Sequence, residues 1–244
     1  SMFRHYVYVS STSATFREHF RKMAADIFKK FNLTSQSLVV DIGSNDGALL
    51  KGFQGFGAKT IGVEPAANVA RIAEENGIET INNFFNEKAA KEVIARKGRA
   101  DIVTAANVFA HVNDIGDFAD NVKSLLKKDG ILVIEVQYLV DTIEKMTFDN
   151  IYHEHLSYFT LTSLINFFKR HGMEVFNVQR VGSHGGSLRA FVKKSEGTHK
   201  TSKNVDKILK YEKDIGVDSL ELYRKFAGRV CEVKEKLKSY IKDI

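Results

Sequence analysis

Residues 38–47 read "LVVDIGSNDG", and this stretch decides the fold. Leu38, Val39 and Val40 form a continuous apolar run rather than an alternating one, the pattern of a strand buried on both faces of a parallel sheet. The chain then turns through Asp41-x-Gly43-x-x-x-Gly47 into the helix formers Ala48, Leu49 and Leu50. Gly43 and Gly47 are expected to let the backbone turn tightly and approach a ligand. A dinucleotide loop would carry Gly-x-Gly-x-x-Gly, with a bare helix N-terminus for the pyrophosphate. Here Asp41 and Asp46 would repel phosphate and suit a ligand with positive groups instead.

The sulfonium and ammonium of S-adenosylmethionine meet that description, so the loop reads as the first motif of a methyltransferase and not as an NAD site. One glycine loop is weak evidence, because an aspartate can simply cap its own turn. The partner signal is Glu64, seventeen residues beyond Gly47, which closes a second apolar strand, "KTIGVEP" (59–65). An acid at that strand end is where a ribose diol is held by two hydrogen bonds. The expected cofactor set is Asp41, Gly43, Asn45, Asp46, Gly47, Glu64, Pro65, Asn83, Phe84 and Asn107.

Composition bounds the rest. With 244 residues, 43% of them hydrophobic and 11% aromatic, the chain can build one large globular domain with an appendage. No run approaches the ~18 apolar residues of a membrane span, and no charged-then-apolar leader opens the chain. Ser1-Met2 reads as a cloning remnant before a native start. The single cysteine, Cys231, excludes an internal disulfide and a cysteine-based zinc site, and fits a reducing compartment, so a cytoplasmic location is expected. Of the net charge of +6, residues 193–244 contribute 14 Lys and Arg against 9 Asp and Glu, leaving the first 192 residues nearly neutral at 22 against 21. Basic and aromatic residues do not cluster around the presumptive site, which argues against nucleic-acid binding.

Outward from the loop, strands and helices alternate. Ser11 or Ser13 can cap a helix over 14–31, where Phe16, Phe20, Met23, Ile27 and Phe31 follow a 3.6 period. Helices are expected at 66–75, 87–96, 115–127 (ending on the stop signal Lys127-Lys128-Asp129-Gly130) and 160–171. Strands are expected at 78–82, 100–108 and 130–139, then at 173–181 and 187–194, the last two pairing antiparallel. This predicts a Rossmann-like α/β fold, a seven-stranded, mostly parallel sheet of the class I methyltransferase type. Residues 1–12 form a substrate-side segment, 13–194 the domain and 195–244 a helical extension. In that extension Tyr223, Phe226, Val230, Val233, Leu237, Tyr240 and Ile244 make a heptad seam, which implies packing on its own domain, a homodimer or docking through 218–244.

Ligands of open α/β sheets sit beyond the carboxyl ends of the strands. The loops 41–47, 64–65, 107–113 and 137–158 should converge there. The third holds His111, and the fourth holds "FDNIYHEHLSYFT" (148–160), with Tyr152, His153, Glu154, His155 and Tyr158 within seven residues. His153 and His155 could hold a metal, but no third ligand is evident. They could also only satisfy loop hydrogen bonds before a Thr160-capped helix. Acid–base work is favoured by the loop's position, because histidine titrates near neutrality and a neighbouring Tyr or Glu can orient it or stabilise an oxyanion.

In this order, "YVYVSSTSATFREHF", "VVDIGSNDG", "ANVFAHVND", "FDNIYHEHLSYFT" and "HGGSLRAF" (184–191) resemble the deoxysugar C-methyltransferases that act on thymidine-diphosphate-linked 4-keto-hexoses. The likeness covers roughly 5–192, and "YHEHLSYF" with "HGGSLR" is its specific part. The resemblance implies carbon methylation of a nucleotide-sugar, with His155 as base and with Glu154, Tyr152, His111 and Tyr6 lining the sugar site. It also places Tyr158, His184, Ser187 and Arg189 near the substrate. Members of that family carry an N-terminal cysteine-rich zinc domain and a further C-terminal lobe, so this chain reads as a trimmed piece or a reduced relative. Asn83 stands where an acid commonly meets the adenine amino group, and Gln137 stands at a common proline position. O- or N-methylation of a small metabolite, or cofactor binding without catalysis, are the alternatives.

Overall fold

In the computed structural model, which describes Arg4 and residues 9–242, one seven-stranded sheet organises the chain. Its strands are β1 (Leu38–Ile42), β2 (Lys59–Val63), β3 (Thr80–Ile81), β4 (Ala100–Ala106), β5 (Leu126–Gln137), β6 (Met173–Val181) and β7 (Ser187–Lys194), in the spatial order β3-β2-β1-β4-β5-β7-β6. The first five are parallel. β7 runs antiparallel to both β5 and β6, as the closeness of the last two apolar runs predicts. All five residues of β1 are buried, the condition its unbroken apolar run implies.

Helices cover both faces. On one side α1 (Ala14–Lys30) and α2 (Ala48–Gln54) bury Met23, Ile27, Leu50 and Phe53 against the sheet, and α3 (Ala67–Glu75) adds Ala73. On the other, α4 (Glu87–Lys97), α5 (Ile115–Leu125) and α7 (Leu161–Arg170) pack Val93, Phe118, Val122 and Phe168 around Phe109. Caps set the helix starts where the sequence places them. Ser13 accepts from the Phe16 amide, and Thr160 with Ser163 forms a reciprocal capping box.

Two boundaries differ from expectation. α5 stops at Leu125, and Lys127–Gly130 is not a helix stop but a bulge inside β5. The register jumps from Ala100–Leu126 to Ile102–Ile131, so these residues loop out of the ladder. Gly130 is required there because a Cβ would lie 2.7 Å from the Ala100 carbonyl oxygen. A further short helix, α6 (Leu139–Lys145), occupies the start of a stretch read as loop.

The extension is two helices, α8 (Lys203–Ile215) and α9 (Leu220–Lys242). α8 is fastened by Glu212, which is fully buried. It accepts from Tyr138 Oη (2.9 Å), the Leu161 amide (2.6 Å), and the Thr162 amide (2.8 Å) and hydroxyl (2.6 Å). A carboxylate at the N-terminus of α7 complements the unsatisfied amides and the helix dipole. α9 is different. Leu222 packs on the core and Arg229 reaches the Ile143 carbonyl, but Val233, Leu237 and Tyr240 are exposed, so the distal half of the seam meets nothing among the described residues. Ile244 lies outside the described residues. No described helix is long and apolar enough to cross a membrane.

Candidate active site

The carboxyl ends of β1, β2, β4 and β5 open into a cleft of about 860 Å3. It is lined from the loop after β1 by Gly43 and Asn45, from β2 by Glu64 and Pro65, and from the next loop by Phe84 and Phe85. The loop after β4 adds Asn107 and His111, and the 148–160 run adds Tyr152, His153, Glu154 and His155. Four separate stretches singled out by sequence therefore meet at one place.

The cofactor loop is held from below. Asp41 is buried and accepts from Thr104 Oγ1 (2.6 Å); burial, against that hydrogen bond and helped by the charge of Glu64, pushes its carboxyl up to about 7. It therefore sits under the cleft wall rather than in it. Gly43 has φ +65°, and a Cβ would lie 2.5 Å from Val108 Cγ2, so the first glycine allows the β1 and β4 loops to close together. Gly47 (φ +80°) is required in the same way by Ile78, 2.7 Å from where a Cβ would lie. Glu64 is buried and accepts one amide on each oxygen, from Asn45 (2.9 Å) and Ala66 (2.8 Å). Burial raises its pKa while these two bonds lower it.

Asp46 has another partner. It accepts from the Ser11 amide (2.9 Å), and Asn45 Oδ1 accepts from the Ser10 amide (2.9 Å), so the loop grips the segment before α1. Ser10 in turn lines the cleft with Phe16 and Phe20 of α1. Asn83 spends its side-chain oxygen on the Phe84 amide (2.9 Å), leaving Phe84 and Phe85 as the wall.

In the histidine loop, His155 Nδ1 lies 2.8 Å from the Asn150 carbonyl oxygen and His111 Nδ1 lies 2.9 Å from that of Glu154. A carbonyl only accepts, so both histidines carry a proton on Nδ1, and the basic nitrogen of neutral His155 is Nε2. The His155 ring packs at a tilt against Tyr152 (4.4 Å, 48°) and His111 (4.9 Å, 51°). The Leu156 amide bonds the Ala110 carbonyl (2.8 Å), which ties the two loops. Desolvation, above all, lowers the pKa of His111 and raises that of the more exposed Tyr152.

The remaining expected residues fall elsewhere. Tyr158 packs edge-on to His155 (6.2 Å) but lines a smaller hollow beside α7. Tyr6 lies outside the described residues. His184 is in the short turn Ser183–Gly185, and Gly186 (φ +141°) leaves no room for a side chain against Asp141, so "HGGS" is a close-packed turn. Ser187 bonds the Ser183 carbonyl (3.0 Å). Arg189 is buried, its guanidinium on Glu135 at 2.8 and 2.9 Å.

Glu135, His19 and Ser183 were not singled out by sequence, although an acid inside the apolar run "ILVIEVQ" is a visible signal. Its other oxygen accepts from His19 Nε2 (2.7 Å) and Ser183 Oγ (2.7 Å). Burial would raise this carboxyl, but the His19 bond, the Arg189 charge and Ser183 together outweigh it and hold it at about 2. The cluster joins α1, β5 and the Ser183 turn around the base of the cleft.

The donor set fits S-adenosylmethionine. Each Glu64 oxygen keeps a lone pair for a ribose hydroxyl, Phe84 and Phe85 offer an apolar wall to a flat base, and no lysine or arginine lines the cleft among the described residues, as a cationic ligand requires.

Residues 16–178 match the family described as a methyltransferase domain, and 182–244 the one described as a C-methyltransferase C-terminal domain. The C-methyltransferase NovU of Streptomyces niveus is 36% identical over 243 residues, covering 100% of this chain and 58% of NovU. The chain thus spans little more than half of that relative's length. A ubiquinone biosynthesis O-methyltransferase of Bradyrhizobium is 33% identical over 109 residues, covering 43% of this chain and 42% of that enzyme. Among solved structures, the PH0226 protein of Pyrococcus horikoshii superposes with a TM-score of 0.60 over 77% of this chain and 94% of its own, at 14% identity. Magnesium protoporphyrin IX methyltransferase of Synechocystis, with bound S-adenosylhomocysteine, gives 0.55 over 72% of this chain and 83% of its own, at 14% identity. The fold is the Rossmann-like α/β fold shared with S-adenosylmethionine-dependent methyltransferases, and the chain belongs to the methyltransferase-domain family.

Proposed function

We propose that this chain methylates carbon beside the ketone of a nucleotide-linked 4-keto-deoxysugar, with His155 as the base. The observation that carries the reading is the bond from His155 Nδ1 to the Asn150 carbonyl, which leaves a basic Nε2 on a ring that lines the cleft. When bound, S-adenosylmethionine supplies an electrophilic methyl group on a positively charged sulfur. Glu64 would hold its ribose, with Gly43, Asn45, Pro65, Phe84 and Asn107 around it. His155 Nε2 takes the proton from the carbon, and the electron pair of the C–H bond passes into the carbonyl as an enolate. Tyr152, a phenol whose pKa partial desolvation and the charge of Glu154 raise further, can donate a hydrogen bond from its hydroxyl to the enolate oxygen. The acceptor carbon must rest about 3–3.5 Å from the methyl group with water excluded. With no lysine or arginine on the cleft wall among the described residues, the sugar ring suits the cleft and the diphosphate would project from its mouth.

The test is hydrogen exchange. With S-adenosylhomocysteine in the cofactor site and deuterated water as solvent, a nucleoside-diphosphate-linked 4-keto-6-deoxyhexose should exchange the hydrogen on the carbon to be methylated, above the spontaneous rate. His155→Asn should abolish the exchange, and His153→Asn should reduce it less. Methylation of a hydroxyl without C–H exchange would overturn carbon methylation in favour of oxygen chemistry on the same loop.

A further inference from the structure

Besides Asn45, whose side chain is bonded to the Ser10 and Asp46 amides, four primary amides line the cleft: Asn107, Asn113, Gln137 and Asn150. Among the described residues none of their side chains has a hydrogen-bond partner, and Gln137 and Asn150 are half-buried. Around Gln137 the other polar side chains are engaged. Glu135 is saturated by His19, Ser183 and Arg189, Tyr138 is bound to Glu212, and Ser187, opposite Gln137 in the ladder, is bound to the Ser183 carbonyl. A half-buried amide without a partner loses hydration and gains nothing in return, unless a ligand completes it.

We infer that Gln137 and Asn150 are specificity-determining residues that read hydroxyl groups on the acceptor, an assignment that rests on the functional reading above. An amide presents donors and an acceptor side by side, which matches a hydroxyl, itself both donor and acceptor, and suits a neutral polyol better than an anion. Gln137 ends β5, so it projects from a strand held on both sides by β4 and β7, at the carboxyl edge where ligands of open sheets bind. A contact made from a strand end is more exactly placed than one from a loop. Asn150 adds a link to the chemistry: its carbonyl fixes His155, so a sugar hydroxyl held by its side chain is registered against the base itself. Asn107 falls in the set assigned to the cofactor, and Asn113 is exposed, so the pair is the acceptor's share.

The test compares three substrates across two Gln137 variants and one Asn150 variant. Wild-type chain, Gln137→Leu and Gln137→Met are assayed with a nucleoside-diphosphate-linked 4-keto-6-deoxyhexose and with its 2-deoxy and 3-deoxy counterparts, by methyl transfer and by C–H exchange. Melting temperature and S-adenosylhomocysteine affinity serve as controls. The wild type should prefer one hydroxylated substrate over its deoxy counterpart by on the order of tenfold or more in kcat/KM. Both variants should lose that preference, falling on the hydroxylated sugar while retaining the deoxy one and the cofactor. Asn150→Ala should lose a preference too, with its own hydroxyl. Equal preference in wild type and variants, with the wild type active, overturns the assignment and leaves the functional reading standing. A wild type that neither binds nor turns over any of the sugars overturns the functional reading, and this inference with it.

Discussion

His155 Nδ1 stands 2.8 Å from the carbonyl oxygen of Asn150, five residues earlier in the same loop. The bond decides the tautomer, and so decides which nitrogen can take a proton. It needs no carboxylate partner, only a loop that turns back on itself through the short helical turn Phe148–Asn150. Replacing His155 with Asn should lower methyl transfer by about 10²–10⁴-fold, the usual contribution of a general base. Calorimetry with S-adenosylhomocysteine should show cofactor binding unchanged, because Glu64 and its loop are untouched.

Glu64, the proposed ribose ligand, is also a clamp on its own loop, through the Asn45 and Ala66 amides. Glu64→Gln keeps one acceptor oxygen but loses the charge. S-adenosylhomocysteine affinity should fall on the order of ten- to a hundredfold, the worth of one or two charge-assisted hydrogen bonds at roughly 1.5–3 kcal/mol each. Titration calorimetry on the variant measures this directly.

Asp41 gives a pH dependence with a definite sign. Its carboxyl is raised from 3.8 to about 7 by burial, so between those values the folded chain holds a proton that the unfolded chain has released. Stability of the cofactor-free protein should therefore fall as pH rises through that window and level off above it. Asp41→Asn can still accept from Thr104 and has no charge to bury. It should melt higher than wild type at pH 8, by on the order of a few kcal/mol at most, and show little gain at pH 4. Glu135 works in the opposite direction and in a separate window. Its stabilisation is present above its ordinary range and is lost only as pH falls toward about 2.

The two halves of the extension should respond differently to mutation. Glu212→Ala leaves the Tyr138 hydroxyl and the Leu161 and Thr162 amides without their acceptor, which should cost roughly 3 kcal/mol or more in a urea melt. Val233→Asp with Leu237→Asp, both on exposed positions, should change stability by less than about 0.5 kcal/mol. If the seam joins two copies, the same double variant should convert the dimer to monomer in sedimentation.

The sheet was legible because parallel strands buried on both faces write themselves as unbroken apolar runs, and "LVVDI" and "ILVIEVQ" are such runs. The caps at Ser13 and Thr160 were legible for the same kind of reason, one hydroxyl per helix start. What the sequence hid were partners far apart in the chain. Nothing local marks His19 as the mate of Glu135, 116 residues away, or Asp46 as the holder of Ser11. The glycine at 47 was read correctly as conformational, and the structure adds a packing reason that the sequence did not show, Ile78. The Lys127–Gly130 stop signal misled because a bulge and a helix end call for the same residues, and only the Ala100 carbonyl tells them apart.

The order β5-β7-β6 has a consequence for how such proteins can be recombined. The two matched stretches meet between residues 178 and 182, inside the hairpin of β6 and β7. β7 is the inner strand of that pair, and β6, the outer one, touches the sheet only through it. Cutting there would strip an interior strand from one fragment and leave the other with Glu212 but none of the amides it holds. An exchange of parts between relatives must carry everything from Ala14, whose helix bonds Glu135 through His19, to Ile215 as one inherited unit, so the boundary that sequence families draw is not a joint of the molecule.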